Sequence, residues 1–311
     1  MRAIVSGAAG FVGSHLVDRL LAEGYEVIGI DNFVTGRACN IMHLASDGRF
    51  SLRVEDVKDV TSIDGQIDWV MHLASPASPP KYQAEPIMTL RTNAEGTYNL
   101  LELARESNAI FLLASTSEVY GDPAVHPQNE AYWGNVNPVG PRSMYDEGKR
   151  YAEAMCASHS RHYGTRIRIA RIFNTYGPRM APDDGRVISN MICQALRGEP
   201  LTIYGDGSYT RSFQYIDDLI EGLIRLMMSE IQRPVNIGNP EEYSIQEIAE
   251  KIRNAVECNV PISYLPSLED DPTRRCPDIT LARESLDWQP ETSLAEGLSR
   301  TVGYFRASLG L

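Results

Sequence analysis

The segment from Arg2 to Asp31 places the tightest limit on what this chain can fold into. Residues 2–6 (RAIVS) form a short β-branched run that reads as a buried strand. Gly7-Ala8-Ala9-Gly10-Phe11-Val12-Gly13 follows, then an amphipathic pattern over roughly 12–23 that stops at Gly24, then a second strand, Glu26–Ile30, ending at Asp31. Strand, glycine turn, helix, strand and acid is the order of a dinucleotide-binding βαβ unit. Glycines let the backbone approach a pyrophosphate, and the helix N-terminus meets its charge. Asp31 stands 18 residues after Gly13, near the usual spacing of about 20. A carboxylate there accepts from ribose hydroxyls and repels a 2′-phosphate, which favours NAD over NADP. Arg37 can serve a 2′-phosphate, but beside Asp31 it reads as a partner for adenosine or the pyrophosphate.

The pattern repeats downstream. Strands are expected at Phe50–Val54, Asp68–Leu73, Ala109–Ala114 and Arg166–Phe173, and helices at about 87–107 and Tyr145–Tyr163. This alternation predicts an α/β fold, a doubly wound parallel Rossmann-type sheet over residues 1–173. Beyond Phe173 the texture becomes α+β, with helices expected near Val187–Arg197, Asp217–Met228, Ser244–Glu257 and Leu294–Ser308 and strands at Leu201–Tyr204 and Thr210–Tyr215. Residues 174–311 therefore read as a smaller substrate domain, with part of 210–238 returning to the first.

Strand ends and turns supply most of the candidate cofactor contacts, Gly7, Gly10, Phe11, Val12, Gly13, Asp31, Asn32, Thr35, Gly36, Asp56, Val57, Leu73, Ala74, Ser75 and Ser115, and the expected helices add Asn93, Tyr145 and Lys149. Asp56 is either an adenine partner or a solvated charge. The stretch Ser75-Pro76-Ala77-Ser78-Pro79-Pro80 reads as a rigid, non-helical loop that lines the site or merely connects elements.

The chemistry concentrates between Leu113 and Arg150. Tyr145 and Lys149, spaced i,i+4, share a helix face. An ammonium near a phenol is expected to lower the phenol pKa and fit it to take a hydroxyl proton. Ser115, Thr116 and Glu118 follow an apolar run, where a parallel strand delivers side chains to its carboxyl end. Glu118 is either an acid/base group or an N-cap. In the C-terminal half, Arg179, Arg186, Arg211, Arg274 and Arg275 form an anion site if they converge.

Net charge is −12, which argues against nucleic acid or an anionic membrane as partner. Five cysteines without a C-x-x-C pair predict neither a disulfide framework nor a metal site, and fit a cytoplasmic setting. No apolar run approaches the ~18 residues of a membrane span.

The glycine turn, the Tyr145-x-x-x-Lys149 pair and the substrate half resemble the extended short-chain dehydrogenases/reductases that act on nucleotide sugars. Within that group, SPASPP (75–80), STSEVYGDP (115–123), YDEGKR (145–150), ARIFNTYGPRM (170–180) and GNPEE (238–242) resemble the UDP-glucuronic acid decarboxylases. The resemblance spans essentially the whole chain. Ser6 and Ala8 replace the family's more usual Thr and Gly, and Cys276 stands where a basic residue is common. Many eukaryotic members carry a membrane anchor, which this sequence does not show, so a soluble form is expected.

The resemblance implies NAD as cofactor and conversion of UDP-glucuronate to UDP-xylose: C4 oxidation to a β-keto acid, CO2 loss, C5 protonation and return of the hydride. It implies Tyr145, Lys149, Glu118, Thr116 and Arg275 as catalytic residues. It also implies Pro79, Glu118, Asn174, Arg179, Val187, Tyr204, Arg211, Tyr215 and Arg275 as substrate contacts, although Tyr204 has an equally good explanation as a core aromatic. Ser117 stands where the related 4,6-dehydratases carry the Asp of a Thr-Asp-Glu run, so the acid that expels a hydroxyl is missing. A 4-epimerase or 4,6-dehydratase is the alternative within enzymes, and a non-catalytic NAD-binding regulatory protein the alternative outside them. By analogy the long helices pair two chains into a homodimer, with Tyr98, Leu101 and Met155 as apolar support.

Overall fold

Seven parallel strands form the central sheet of the computed structural model, which describes residues 1–311. Strands β1 (Arg2–Ser6), β2 (Glu26–Ile30), β3 (Phe50–Arg53), β4 (Trp69–His72), β5 (Ile110–Thr116) and β6 (Arg166–Ile172) are joined by Pro234–Ile237, in the order 234–237, β6, β5, β4, β1, β2, β3. The chain reverses direction across the sheet between β1 and β4, so the crevice at their carboxyl ends is a switch point where α/β sheets bind ligands. The strands read as continuous apolar runs because helices cover both faces. One core unites the helix Phe11–Ala22 with Ile216–Met228 and the C-terminal helices, and a second lies under Thr97–Glu106 and Ser143–Tyr163.

The C-terminal half contributes short paired strands. Thr210–Ser212 lies between Glu242–Ser244 and Arg274–Arg275. The expected strand Thr210–Tyr215 is broken at Phe213, and Gln214–Tyr215 pairs instead with Thr175–Tyr176.

Two further expectations are corrected. Pro79-Pro80 does not exclude helix; it opens one, Pro79–Ala84, because proline at the first helical position loses no intrahelical bond. The helix expected over 87–107 is interrupted by a π-helical turn, Thr92–Gly96, between Pro86–Arg91 and Thr97–Glu106. Such turns mark functional sites. This one buries Asn93, whose amide donates to Ser75 Oγ at 3.0 Å and to the Thr89 carbonyl at 2.8 Å.

Candidate active site

Two grooves meet above the carboxyl edge of the sheet. The first is lined by Gly7, Gly10, Phe11, Val12, Gly13, Asp31, Asn32, Thr35, Asp56, Val57, Leu73, Ala74 and Ser75. Gly7 adopts φ +72°, and a Cβ at Gly13 would lie 2.0 Å from the Gly7 carbonyl oxygen. Only glycine permits that turn, and it leaves the helix N-terminus open to an anion. The Asp31 carboxylate accepts from Ala9 N at 2.9 Å and Phe33 N at 2.8 Å, and Gly36 packs against it. Its oxygens keep lone pairs for ribose hydroxyls. Asp56 pairs with Lys58 at 3.3 Å and accepts from Asn32. These residues fit a dinucleotide. Asn93 is fully buried outside the groove and acts through Ser75 rather than by contact.

The second groove is lined by Pro79, Ser115, Thr116, Ser117, Glu118, Tyr145, Lys149, Asn174, Val187, Tyr204, Arg211 and Arg275, among others. Val12, Leu73, Ser75, Ala77 and Arg186 belong to both grooves, which makes them continuous. At the end of β5, Thr116 caps a 3-10 turn by accepting from Glu118 N at 3.2 Å. That turn directs Glu118 into a cluster of buried charge. Glu118 Oε2 accepts from Arg275 Nη2 at 2.6 Å and forms an ion pair with Arg142 Nη2 at 2.9 Å. Asp271 accepts from Arg211 at 2.8 Å and Arg142 at 3.3 Å. Burial works to raise the Glu118 carboxyl, but Arg142, then Arg275 and Arg211, outweigh it and hold the group below its ordinary range.

Three sequence expectations change here. Lys149 does not prime Tyr145 directly. Its Nζ donates to the Ala114 carbonyl at 2.9 Å and lies 6.0 Å from the Tyr145 ring centroid. Burial pushes the Tyr145 phenol up to about 12, with the Thr116 hydrogen bond working the other way, and lowers Lys149 to about 8. Desolvation wins because both groups are enclosed. Arg179 lines the first groove, not the second, because its guanidinium pairs with Asp18 at 2.6 Å. Tyr215 lines neither groove; its ring packs edge-on against Tyr176 at 5.7 Å under the Arg300 guanidinium. Of the five downstream arginines, Arg211 and Arg275 converge, Arg186 lines both grooves and pairs with Asp184, and Arg274 is exposed.

A family model described as GDP-mannose 4,6 dehydratase matches residues 4–301. UDP-glucuronic acid decarboxylase 1 of Danio rerio is 54% identical over 99% of this chain and 73% of its own length. UDP-glucuronic acid decarboxylase 2 of Arabidopsis thaliana is 55% identical over 98% of this chain and 68% of its own. The chain belongs to the UDP-glucuronic acid decarboxylase family. Among solved structures, UDP-glucuronic acid 4-epimerase from Bacillus cereus, in complex with UDP-glucuronic acid and NAD, superimposes with a TM-score of 0.89. It is 31% identical and covers 99% of this chain and 100% of that one.

Sequence reasoning passed over several groups in this decarboxylase-family site. Arg142 stands three residues before Tyr145 and seven before Lys149, the spacing of a single helical stripe. Tyr82, from the helix opened by Pro79, stacks on Tyr145 with ring centroids 5.1 Å apart. Asp271 carries no local signal; it reaches the site from the loop 266–273, most of which is exposed.

Asp146 is the fourth omission. Its Oδ1 is buried without a hydrogen-bond partner, and Oδ2 lies 3.9 Å from Arg142 Nε. Burial, then the Glu118 charge, raises its carboxyl from 3.8 to about 8, against the pull of Arg142 and Arg275. Between those values the unfolded chain releases a proton that the folded protein keeps, so this group's effect on stability becomes less favourable as pH rises from about 4 to about 8. Asp146→Asn cannot ionise. Thermal unfolding should show it more stable than wild type by about 1–3 kcal/mol at pH 8 and equal to it near pH 4.

Proposed function

We propose that this protein converts UDP-glucuronate to UDP-xylose and CO2, with NAD held between turnovers. One observation carries the reading: the groove where both sites meet presents Tyr145, Thr116, Glu118 and Arg275 together, with Ser117 in place of a dehydratase acid. NAD supplies the hydride acceptor for C4 and returns the hydride at the end; Gly7, Gly10, Gly13 and Asp31 would hold it. Everything else falls to the chain. Tyr145 takes the proton of the C4 hydroxyl, and Thr116 hydrogen-bonds beside it. The C4 ketone then accepts the electrons that CO2 leaves behind at C5. Tyr145 and Thr116 donate toward the enolate oxygen. Glu118 and Arg275 hold the water that protonates C5. Arg211, its guanidinium held by Asp271 and the Thr210 carbonyl, lends positive charge to the diphosphate end, and Asn174, Val187 and Tyr204 line the sugar and uracil end.

Residues 1–173, with the returning helix Ile216–Met228 and strand Pro234–Ile237, serve as the NAD-binding domain and the remainder as the UDP-sugar domain. The long helices support a homodimer through exposed Ile87, Leu90, Tyr98 and Tyr151. Leu101 is withdrawn from that face, since it is fully buried in the core. Five free thiols support a reducing, cytoplasmic setting. No helix is long and apolar enough to cross a membrane. Release of CO2 from UDP-glucuronate by the purified protein tests the reading; conversion to the C4 epimer without CO2 would replace it with an epimerase.

A further inference from the structure

Glu118 receives two guanidinium groups on one oxygen, and they are held differently. Arg275 ends a two-residue strand paired with Thr210–Arg211, just after the loop 266–273, which is largely exposed apart from half-buried Asp271 and buried Pro272. Arg142 occupies the N-cap of the helix Ser143–Tyr163, where its carbonyl accepts from Tyr145 N at 3.0 Å and Asp146 N at 3.1 Å. Its side chain is 8% exposed and pairs with two carboxylates, Glu118 at 2.9 Å and Asp271 at 3.3 Å, with the Asp146 carboxyl 3.9 Å away. Its Nε is buried with no hydrogen-bond partner. A guanidinium built into the helix that carries Tyr145 and Lys149 ties Glu118 to the position of the phenol.

We infer that Arg142 is a positioning residue: it fixes Glu118 as a carboxylate in register with Tyr145, leaving Arg275 to answer to the sugar. This rests on the decarboxylase reading above. Two arginines on one carboxylate oxygen are redundant as simple neutralisation, since Arg275 alone supplies a charge at 2.6 Å. The division of labour follows from anchorage. When an anionic substrate draws on Arg275, Glu118 would lose both its counter-charge and its orientation unless a second, helix-borne cation remained. The groups that face Glu118 are Arg142, Asp146 and Tyr145 from that helix, Arg211 and Arg275 from the short strands, and Tyr82 from the helix Pro79–Ala84.

The test is a double-mutant cycle in the NAD-loaded protein. Arg142→Gln is expected to lower kcat for CO2 release roughly 10²-fold, the scale of a displaced catalytic group, with UDP affinity by calorimetry changed less than about 3-fold. The acidic limb of its kcat profile should rise by roughly one pH unit or more, and Arg142→Lys should restore that limb. In a Glu118→Gln background, Arg142→Gln should cost nothing further. Full additivity of the two losses, an unmoved acidic limb, or a loss confined to UDP affinity would overturn the inference. Should Arg142→Gln not fold, the same cycle with Arg142→Met, which keeps the length of the side chain and removes its charge, decides it, coupled losses supporting the inference and additive ones overturning it. Wild-type protein run alongside separates the two readings: no CO2 from wild type defeats the decarboxylase assignment, whereas CO2 with additive variants defeats only the role of Arg142.

Discussion

Replacing Tyr145 by phenylalanine is expected to lower turnover of UDP-glucuronate roughly 10²–10⁴-fold, the loss produced by removing a general base. The ring stays stacked on Tyr82, so the fold and the second groove keep their shape. Only the oxygen that takes the C4 proton is gone. The deficit therefore belongs to the first oxidation. In a single turnover, wild type should show a transient rise in reduced-cofactor absorbance that the variant lacks. The pH dependence should differ as well. Burial holds the phenol near 12, so the phenolate fraction, and with it the wild-type oxidation rate, climbs with pH across the neutral range. The variant has no phenol to ionise and should not share that climb. An undiminished transient in Tyr145→Phe would remove Tyr145 from the chemistry.

Arg275→Ala carries the second large effect, at a later step. Removing one partner of a buried ion pair ordinarily costs several kcal/mol because the other charge is left unpaired. Here Glu118 keeps Arg142 at 2.9 Å, so the protein should still fold. The alanine variant loses the cation that answers to the C6 carboxylate and the C5 water. A strong ion pair with the ground-state carboxylate would oppose its departure, so the effect of Arg275 lies in positioning. CO2 release should fall roughly 10²–10³-fold, the scale of losing one preorganised electrostatic group, while UDP binds normally by calorimetry. Oxidation at C4 still proceeds, so reduced cofactor should accumulate where wild type shows only a transient. Full CO2 turnover in Arg275→Ala would contradict the role.

These effects trace back to unequal legibility in the sequence. The N-terminal half was readable because a buried parallel strand is a continuous apolar run and a pyrophosphate turn demands glycine. Thus β1 and β2 span the residues expected, Arg2–Ser6 and Glu26–Ile30. The π-turn at Thr92–Gly96 was not readable, because one inserted residue leaves the helical periodicity on either side intact. Pro79-Pro80 is ambiguous in sequence because proline forbids helix interiors and favours helix starts, and only the residues C-terminal to it tell the two cases apart. In the site, Glu118 and Arg275 were named separately, but their 2.6 Å contact joins residues 157 apart in sequence, and no spacing encodes it. Arg179 and Tyr215 went the other way. Each carries a side chain suited to a ligand, yet Asp18 claims the first and Tyr176 with Arg300 the second. The expected priming of Tyr145 by Lys149 failed on environment: i,i+4 spacing gives proximity, while burial sets the sign of the phenol's shift.

The reaction proposed for this site is a decarboxylation that consumes no cofactor. Incubation with UDP-glucuronate and NAD, with mass spectrometry of the nucleotide sugar and absorbance of the cofactor read together, tests it most directly. The expected product is lighter by the mass of CO2, with no net reduced cofactor after many turnovers. A product of unchanged mass with an inverted C4 centre would contradict it, as would one mole of reduced cofactor formed for each mole of CO2.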